Sequence, residues 1–397
     1  MNWTSEFETV CRRLQALEPE MVAFQKELTA IPALGPENGG QGEWERAQFL
    51  RKKLEAFGVP QIEQIDAPDS RVASGKRPNL IARVPGKSSQ KTIWILTHMD
   101  VVPEGDRSLW DTDPWQAVVK EGKIYGRGTE DNQQSLTSAL FTLKAFLDTG
   151  IKPAYPLALI FVADEETGSE YGLKYLLQHH RHLFSPNDII LVPDAGEPDS
   201  TMIEVAEKSI LWLRFTTHGS QCHASLPDHG VNAFRAASHL VVALEQLYQR
   251  FNLRNELYEP PISTFEPTKK EANVGNVNTI PGKDVFYLDC RILPEYRISE
   301  VMDFIGTLCL EVEDRFKVKI EVEPVQVVEA PPPTPADAEV VERLKRAVKA
   351  VYNVEARPMG IGGGTVAAVF RQAGLPVAVW STVDDVCHQP NEYAVIE

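Results

Sequence analysis

The segment Leu157–Gly168, which reads LALIFVADEETG, constrains the fold more than any other part of the chain. Its six consecutive apolar residues, Leu157 to Val162, indicate a strand that is buried on both faces. Such a strand cannot bury carboxylates, so the acids Asp164, Glu165 and Glu166 must lie where it ends. In an open α/β sheet, ligands bind at the carboxyl ends of the strands. Taken alone, the segment is equally consistent with a solvated acidic turn before a helix.

The composition indicates a globular protein of two domains. The 397 residues are 43% hydrophobic and 24% charged, which is sufficient for two ordinary cores. The formal net charge of -16 argues against nucleic acid or an anionic membrane as a partner. The stretch MNWTSEFETV has no basic leader or apolar core, and no run is long enough to span a bilayer, so a cytoplasmic location is expected. Five cysteines without a CxxC spacing favour reduced thiols.

The pattern of polar and apolar residues differs between two parts of the chain. In the first part, apolar strands are separated by helices, which predicts a mostly parallel sheet flanked by helices. From about Leu211 to the prolines at 331–333, polar and apolar residues alternate around intervening helices, which is typical of an α+β domain. Thr334 and Pro335 then resemble the N-cap and first position of a helix that reaches about Tyr352. The predicted fold class is α/β, with one domain formed by residues 1–209 and 329–397 and an α+β domain inserted at residues 210–328.

Polar residues that can bind metals follow the predicted strands of the first domain. Four positions share this placement, three at strand ends and one at a strand-to-helix turn: His98, Glu165 with Glu166, Asp194, and Asp131 at the turn. Imidazole and carboxylates without thiolate suit zinc, cobalt or manganese, and several carboxylates beside one or two histidines indicate two ions that share a bridging carboxylate. Asp100 is placed to accept the other N–H of the His98 ring. A single residue of this kind is more often a cap, but the joint occurrence favours a metal site.

Sequence motifs along the chain resemble those of one family of enzymes. In chain order they are THMDVVP, YGRGTED, ADEETGS, LVPDAGE, HASLPDHGVNA, VNTIPG, DCR, GGGT and HQPNE. Together they are similar to the di-zinc metallopeptidase family that includes aminoacylase, carboxypeptidase G, acetylornithine deacetylase and succinyl-diaminopimelate desuccinylase. The resemblance covers nearly the whole chain. It implies a catalytic domain with an inserted lid or dimerisation domain, and two divalent metal ions, zinc or else cobalt or manganese.

The resemblance also implies roles for individual residues of the catalytic domain. It implies five metal ligands: His98 and Asp194 at the first ion, Glu166 and His388 at the second, and Asp131 bridging both. Glu165 would be the general base that deprotonates the attacking water, and Asp100 would lie behind His98. The chemistry agrees, because a metal can lower the pKa of water to about 7 and a free carboxylate can then take the proton.

In the inserted domain, the resemblance implies that His223 stabilises the oxyanion, reaching in from a partner protomer, because this insertion usually dimerises in the family. Four further positions look like those that grip the substrate carboxylate: Asn278, Arg291, Gly363 and Gly364. An arginine can clamp a carboxylate through two parallel hydrogen bonds. The sequence departs from many relatives at Val366, where they have an aspartate.

We therefore predict a cytoplasmic, homodimeric, two-metal hydrolase that cleaves the amide bond of an N-acyl amino acid or a small peptide with a free carboxylate. A deacylase of the acetylornithine or succinyl-diaminopimelate type is preferred to a dipeptidase or carboxypeptidase of the same family. The alternative from another class is a non-catalytic metal-binding dimer. The presence of Glu165, which a mere binding protein does not need, argues against that alternative.

Overall fold

A computed structural model gives the structure of the chain and describes residues 4–396. Residues 1–3 and 397, which belong to the predicted domain ends and the N-terminal stretch, lie outside the described residues. The strands in chain order are β1 (Gln61–Pro68), β2 (Lys76–Val84), β3 (Ile93–His98), β4 (Val118–Lys120), β5 (Lys123–Tyr125), β6 (Leu157–Val162), β7 (Ile189–Val192), β8 (Met202–Glu207), β9 (Ser209–His218), β10 (Cys222–His223), β11 (Thr264–Lys270), β12 (Thr279–Ile280), β13 (Lys283–Ile292), β14 (Lys319–Val328), β15 (Arg357–Ile361), β16 (Val377–Val379) and β17 (Tyr393–Val395). The α-helices are α1 (Ser5–Ala16), α2 (Glu18–Thr29), α3 (Trp44–Ala56), α4 (Gln134–Thr149), α5 (Leu173–His179), α6 (Ala233–Ala243), α7 (Gln246–Arg250), α8 (Ile298–Phe316), α9 (Glu339–Tyr352) and α10 (Ala367–Gln372).

The chain packs as two compact units. The first unit takes the chain up to Val205, residues 334–358, and the chain from Thr365 onward. The second unit consists of Ala206–Pro333 together with Met359–Gly364. The sequence predicts that this last segment belongs to the first domain. It groups with the second unit because, for example, the Lys208 N–H donates to the Ile361 carbonyl at 3.0 Å.

The large sheet has the strand order β1-β2-β6-β3-β7-β16-β8-β15. Its four central strands, β6, β3, β7 and β16, pair in parallel. The pairs β1·β2, β2·β6 and β16·β8 are antiparallel. The predicted mostly parallel arrangement therefore applies to the centre of the sheet, where the parallel strands end at a common edge.

The central strand β6 is buried along its whole length, as its apolar sequence predicts. Leu157, Leu159 and Phe161 pack into the core formed with α1 to α4. Ala158, Ile160 and Val162 pack into the core on the other face, with α5 and α10. Because successive side chains of a strand point to opposite faces, helices on both sides of the sheet require apolar residues at every position.

The second unit contains an antiparallel sheet in the order β11-β13-β9-β14. One face of this sheet packs against α6, α7 and α8, through buried residues such as Leu213, Phe215, Leu240 and Ile305. Residues on the other face are more exposed; Trp212, for example, is 37% exposed. This is the alternation that the sequence predicts for a sheet with one solvated face.

The start of α9 differs from the prediction. The helix begins at Glu339 with Ala338 at its N-cap, rather than at Pro335. The Thr334 hydroxyl donates to the Val377 carbonyl at 2.7 Å and so joins this segment to β16 instead of capping a helix. The five cysteines, all among the described residues, form no disulfide. Within residues 4–396, none of the helices has the length and apolar content required to cross a bilayer.

Candidate active site

The candidate site lies in the first unit, where three parallel strands end side by side. In the register of β3 and β6, His98 is opposite Val162, and Asp164, Glu165 and Glu166 follow shortly after. Asp194 follows the neighbouring strand β7. Parallel strands therefore deliver an imidazole and several carboxylates to one edge of the sheet, as the sequence predicts.

One group of possible metal ligands consists of His98, Asp131 and Asp194, with ligand atoms that lie within 4.8 Å of one another. Nε2 of His98 is 2.8 Å from Oδ1 of Asp131 and 3.4 Å from Oδ1 of Asp194. In the neutral ring, Nδ1–H of His98 donates to the Asp100 carbonyl at 3.0 Å, which leaves Nε2 free to bind an ion.

A second group consists of Asp131, Glu166 and His388, whose ligand atoms also lie within 4.8 Å of one another. Nε2 of His388 is 3.1 Å from Oδ2 of Asp131 and 3.1 Å from Oε2 of Glu166. The other Glu166 oxygen, Oε1, is buried and has no hydrogen-bond partner among residues 4–396. A buried carboxylate oxygen without a partner is costly unless a cation compensates it.

Asp131 is common to both groups and presents one oxygen to each. Oδ1 faces His98 and Oδ2 faces His388. Nδ2 of Asn132 donates both to the Pro193 carbonyl, at 2.9 Å, and to Oδ1 of Asp194. The donor set of imidazoles and carboxylates, with a shared carboxylate at its centre, fits two borderline divalent ions such as zinc.

The imidazoles of the site hold protons strongly in the ion-free protein. Burial would lower the pKa of His98, but the carboxylates of Asp100, Asp131 and Asp194 raise it well above its usual value. Hydrogen bonds to Asp131 and Glu166 raise the pKa of His388 to about 10. The surrounding negative charge therefore favours a cation at both positions.

The pKa values of the carboxyl groups in the site are shifted in different directions. Burial would raise the pKa of Asp131, but hydrogen bonds from His388 and His98 lower it below its usual value. Burial and the charge of Asp131 raise the pKa of Glu166 to about 7. Burial and the charge of Asp194 raise the pKa of Glu165 well above its usual value. A carboxylate with a raised pKa accepts a proton more readily, which suits a general base.

The structure places Asp100 differently from the prediction. The sequence predicts that its carboxylate accepts the N–H of His98, but the backbone carbonyl of Asp100 does so, and the carboxylate oxygen Oδ1 is 3.5 Å from Nδ1. The carboxylate instead accepts the backbone N–H groups of Glu165 and Glu166, each at 3.0 Å. The ends of β3 and β6 are adjacent, so these two N–H groups lie within reach of Asp100.

Glu392 contributes to the site, although the sequence predicts no role for it. Its side chain is fully buried, and it forms an ion pair with Arg127 at 2.6 Å. It also accepts the backbone N–H of Asp131 at 3.1 Å. The only signal for it in the sequence is its place at the end of the HQPNE motif, four residues after His388.

His223 and Asn278 lie in the second unit and are close to each other. The two-residue strands β10 and β12 pair with each other, and His223 lies opposite Thr279 in this pair. The Ala224 N–H donates to the Asn278 carbonyl at 2.8 Å. Nδ1 of His223 is 2.7 Å from the Ser225 hydroxyl. The structure therefore joins the two segments that carry these predicted residues.

Arg291 also lies in the second unit, next to the glycine turn. Its Nη1 donates to the Gly362 carbonyl at 2.9 Å, beside Gly363 and Gly364. Its Nε and Nη2 both donate to Asp289, at 2.7 and 3.0 Å. A substrate carboxylate would therefore have to replace Asp289 in order to use these two donors.

Comparisons with known proteins identify relatives of this chain. The profile of the family described as Peptidase family M20/M25/M40 matches residues 94–397. An uncharacterized metallohydrolase of Methanocaldococcus jannaschii is 42% identical over 392 residues, which cover 95% of this chain and 95% of the relative. A succinyl-diaminopimelate desuccinylase of Wolinella succinogenes is 26% identical over 385 residues, with the same coverage of both chains.

A solved structure shows a similar fold. The structure of a di-peptidase from Saccharomyces cerevisiae matches with a TM-score of 0.71 and 17% sequence identity, over 99% of this chain and 95% of that chain. At this identity the likeness concerns the fold alone. It confirms the predicted α/β class.

Proposed function

The chain belongs to peptidase family M20/M25/M40 and is a metal-dependent hydrolase, and we propose that it uses two metal ions to cleave the amide bond of an N-acyl amino acid or a small peptide with a free carboxylate. The observation that carries the proposal is the position of Asp131, whose two oxygens face two separate groups of ligands. His98 and Asp194 would complete the first ion site, and Glu166 and His388 the second. A single ion would not require a carboxylate shared in this way.

In the proposed mechanism, Glu165 moves the proton. When bound, the two ions supply Lewis-acid polarisation of the substrate carbonyl and make water acidic enough to attack near neutral pH. Glu165 takes the proton of the attacking water and delivers it to the leaving amine. Asp100 holds the Glu165 backbone through the hydrogen bond of 3.0 Å. Membership of a family of hydrolases favours this enzyme over the non-catalytic dimer considered above.

Residues of the second unit have proposed roles in substrate binding. His223 would donate to the oxyanion, from the partner protomer of a dimer. The substrate carboxylate would be gripped by the remaining four predicted residues: Asn278, Arg291, Gly363 and Gly364. These roles follow from the motifs that carry the resemblance, and variants such as Arg291→Lys would test them by a rise in KM.

Among substrates of this class, we favour N-acyl amino acids of the acetylornithine or succinyl-diaminopimelate type. The name of the Wolinella succinogenes relative supports this preference. A dipeptidase or carboxypeptidase of the same family is the second candidate. The enzyme is also proposed to act in the cytoplasm, where its five cysteines, which form no disulfide, would stay reduced.

The test is to measure metal content per chain together with hydrolysis of a panel of acetyl amino acids, succinyl amino acids and dipeptides. We expect two ions per chain, with deacylation that is lost on chelation and returns with zinc or cobalt. Hydrolysis confined to dipeptides would replace the deacylase with the second candidate. Two bound ions without turnover of any substrate class would contradict the proposed activity.

A homodimer is proposed through the second unit. The edge strand β11 exposes its residues from Glu266 to Lys270. The adjoining helix α6 exposes the apolar side chains of Phe234 and Val242, which are 45% and 63% exposed. An unpaired strand edge beside apolar side chains favours association with a second copy. Light scattering should show a dimer for the natural chain and a monomer for a Phe234→Asp variant.

A further inference from the structure

Two of the proposed ligands lie outside the strands and the α-helices. His388 lies between β16 and β17, where residues 380–392 form neither helix nor strand. Asp131 lies in the turn before α4 and has φ -112° and ψ 95°, outside helical geometry. The two residues are 257 positions apart in the chain, yet their side chains are 3.1 Å apart. Strand geometry therefore does not fix either ligand.

Glu130 holds the segment that carries His388. Its side chain is buried, with 5% exposure. Oε1 accepts the backbone N–H of Asp384 at 2.6 Å, and Oε2 accepts that of Val386 at 2.7 Å. Each of the two carboxylate oxygens therefore accepts one backbone N–H of the segment that precedes His388. Hydrogen bonds to an ionised acceptor are among the stronger ones in proteins.

Glu392, near the end of the chain, holds the segment that carries Asp131. Its Oε1 accepts the backbone N–H groups of Glu130 and Asp131, at 3.0 and 3.1 Å. Its Oε2 accepts the N–H of Gly128 at 3.0 Å and a hydrogen bond from Arg127 at 2.6 Å. Arg127 also donates to the His388 carbonyl at 3.3 Å.

Glu130, which precedes Asp131, thus holds the segment that carries His388. Glu392, which follows His388 by four residues, holds the segment that carries Asp131. We call Glu130 and Glu392, with the backbone N–H groups that they accept, the reciprocal clamp. We propose that the reciprocal clamp is a positioning device that sets the distance between Asp131 and His388, and thereby the affinity of the second ion site. This inference rests on the proposed two-metal function.

Within the reciprocal clamp, Glu130 should act on one ion site more than on the other, because it holds the segment of His388 and not Asp131, which both sites share. His98 ends β3 and Asp194 follows β7, so the paired strands hold these first-site ligands directly. His388 depends on Glu130, because Glu130 accepts backbone N–H groups two and four residues before it. Loss of Glu130 is therefore expected to weaken the second ion site and to leave the first nearly unchanged.

The test compares Glu130→Gln with the natural chain and with Asp188→Asn. In the Glu130→Gln variant, the side-chain amide would turn an N–H toward one of the two backbone N–H groups. Asp188 is a matched control, because it is a buried carboxylate that accepts the N–H groups of Thr92 and Ser185, at 2.8 Å each, away from the site. The measurements are calorimetric zinc titration of the chelated proteins and hydrogen exchange of metal-free protein in residues 381–390.

For Glu130→Gln we expect a second zinc equivalent that binds about 10- to 100-fold more weakly, and faster exchange in residues 381–390. The Asp188→Asn control should keep both zinc affinities and the exchange of residues 381–390. Unchanged binding and exchange in Glu130→Gln would overturn the inference, as would equal weakening of both ions with faster exchange throughout the chain. If the natural chain bound fewer than two zinc ions, the two-metal function would fail, and exchange in residues 381–390 would still decide whether Glu130 holds that segment.

Discussion

The carboxylate of Asp100 accepts the backbone N–H of Glu165 at 3.0 Å. Its second oxygen accepts the backbone N–H of Glu166, also at 3.0 Å. One buried carboxylate after β3 therefore holds the backbone of both acids that follow β6, the proposed general base and a proposed metal ligand. Asp100 acts on the position of the base as well as on the ring of His98.

Asp100→Asn should lower kcat by about 10- to 100-fold, because the amide replaces one of the two acceptors with a donor. Asp188→Asn is the control, since Asp188 accepts backbone N–H groups at the opposite edge of the same sheet. Thermal unfolding and kcat should be measured for both variants. A similar loss of kcat in the control would show that general destabilisation, and not the position of Glu165, is responsible.

The neighbouring acids Glu165 and Glu166 should give different phenotypes when each is changed to glutamine. Glu165→Gln removes the proposed base and should lower kcat by about 10²- to 10⁴-fold while two ions stay bound. Glu166→Gln removes a ligand and should lower the content of the second ion. Metal analysis and kcat on the same samples separate the two outcomes. If Glu165→Gln retained full activity, the proposed mechanism would be wrong.

The central sheet and its carboxyl edge could be predicted from the sequence because β6 is fully apolar and its acids follow almost at once. The antiparallel strands β1 and β8 could not be predicted from the sequence in this way. The sequence of β8, MIEVAE, contains Glu204 and Glu207, which do not suggest burial, yet both are buried. Glu204 receives a hydrogen bond from Arg371 at 2.7 Å, a partner 167 residues away that local pattern cannot reveal.

The metal ligands could be proposed from motifs, whereas the residues that hold them could not. Glu130 lies within the motif YGRGTED, but its role depends on the backbone N–H groups of Asp384 and Val386. The predicted N-cap at Thr334 was wrong for a similar reason, since its hydroxyl bonds to Val377 on β16. Long-range hydrogen bonds between side chains and backbone leave no periodic signal in a sequence.

Removal of the ions should lower the thermal stability of the chain. The side chains of Asp131, Glu166 and Asp194 lie close together, and without ions their repulsion is only partly offset by two imidazoles. An ion present at 100 times its dissociation constant stabilises the folded state by about 2.7 kcal/mol. Calorimetry should show a lower Tm after chelation and recovery with zinc. Asp131→Asn, which lacks the bridging ligand, should show little effect of chelation.

Zinc binding should strengthen as the pH rises and should release protons. The pKa of His388 is raised to about 10, so this ring is protonated at pH 7 in the ion-free protein, and the pKa of His98 is also raised well above its usual value. Only the neutral imidazole binds an ion, so each bound proton must leave, and the apparent affinity should rise about tenfold per pH unit for each proton released. Zinc titrations at pH 7 in two buffers with different ionisation heats measure the number released. His388→Asn should release fewer protons than the natural chain, and equal heats in the two buffers would contradict the protonated state of the ion-free site.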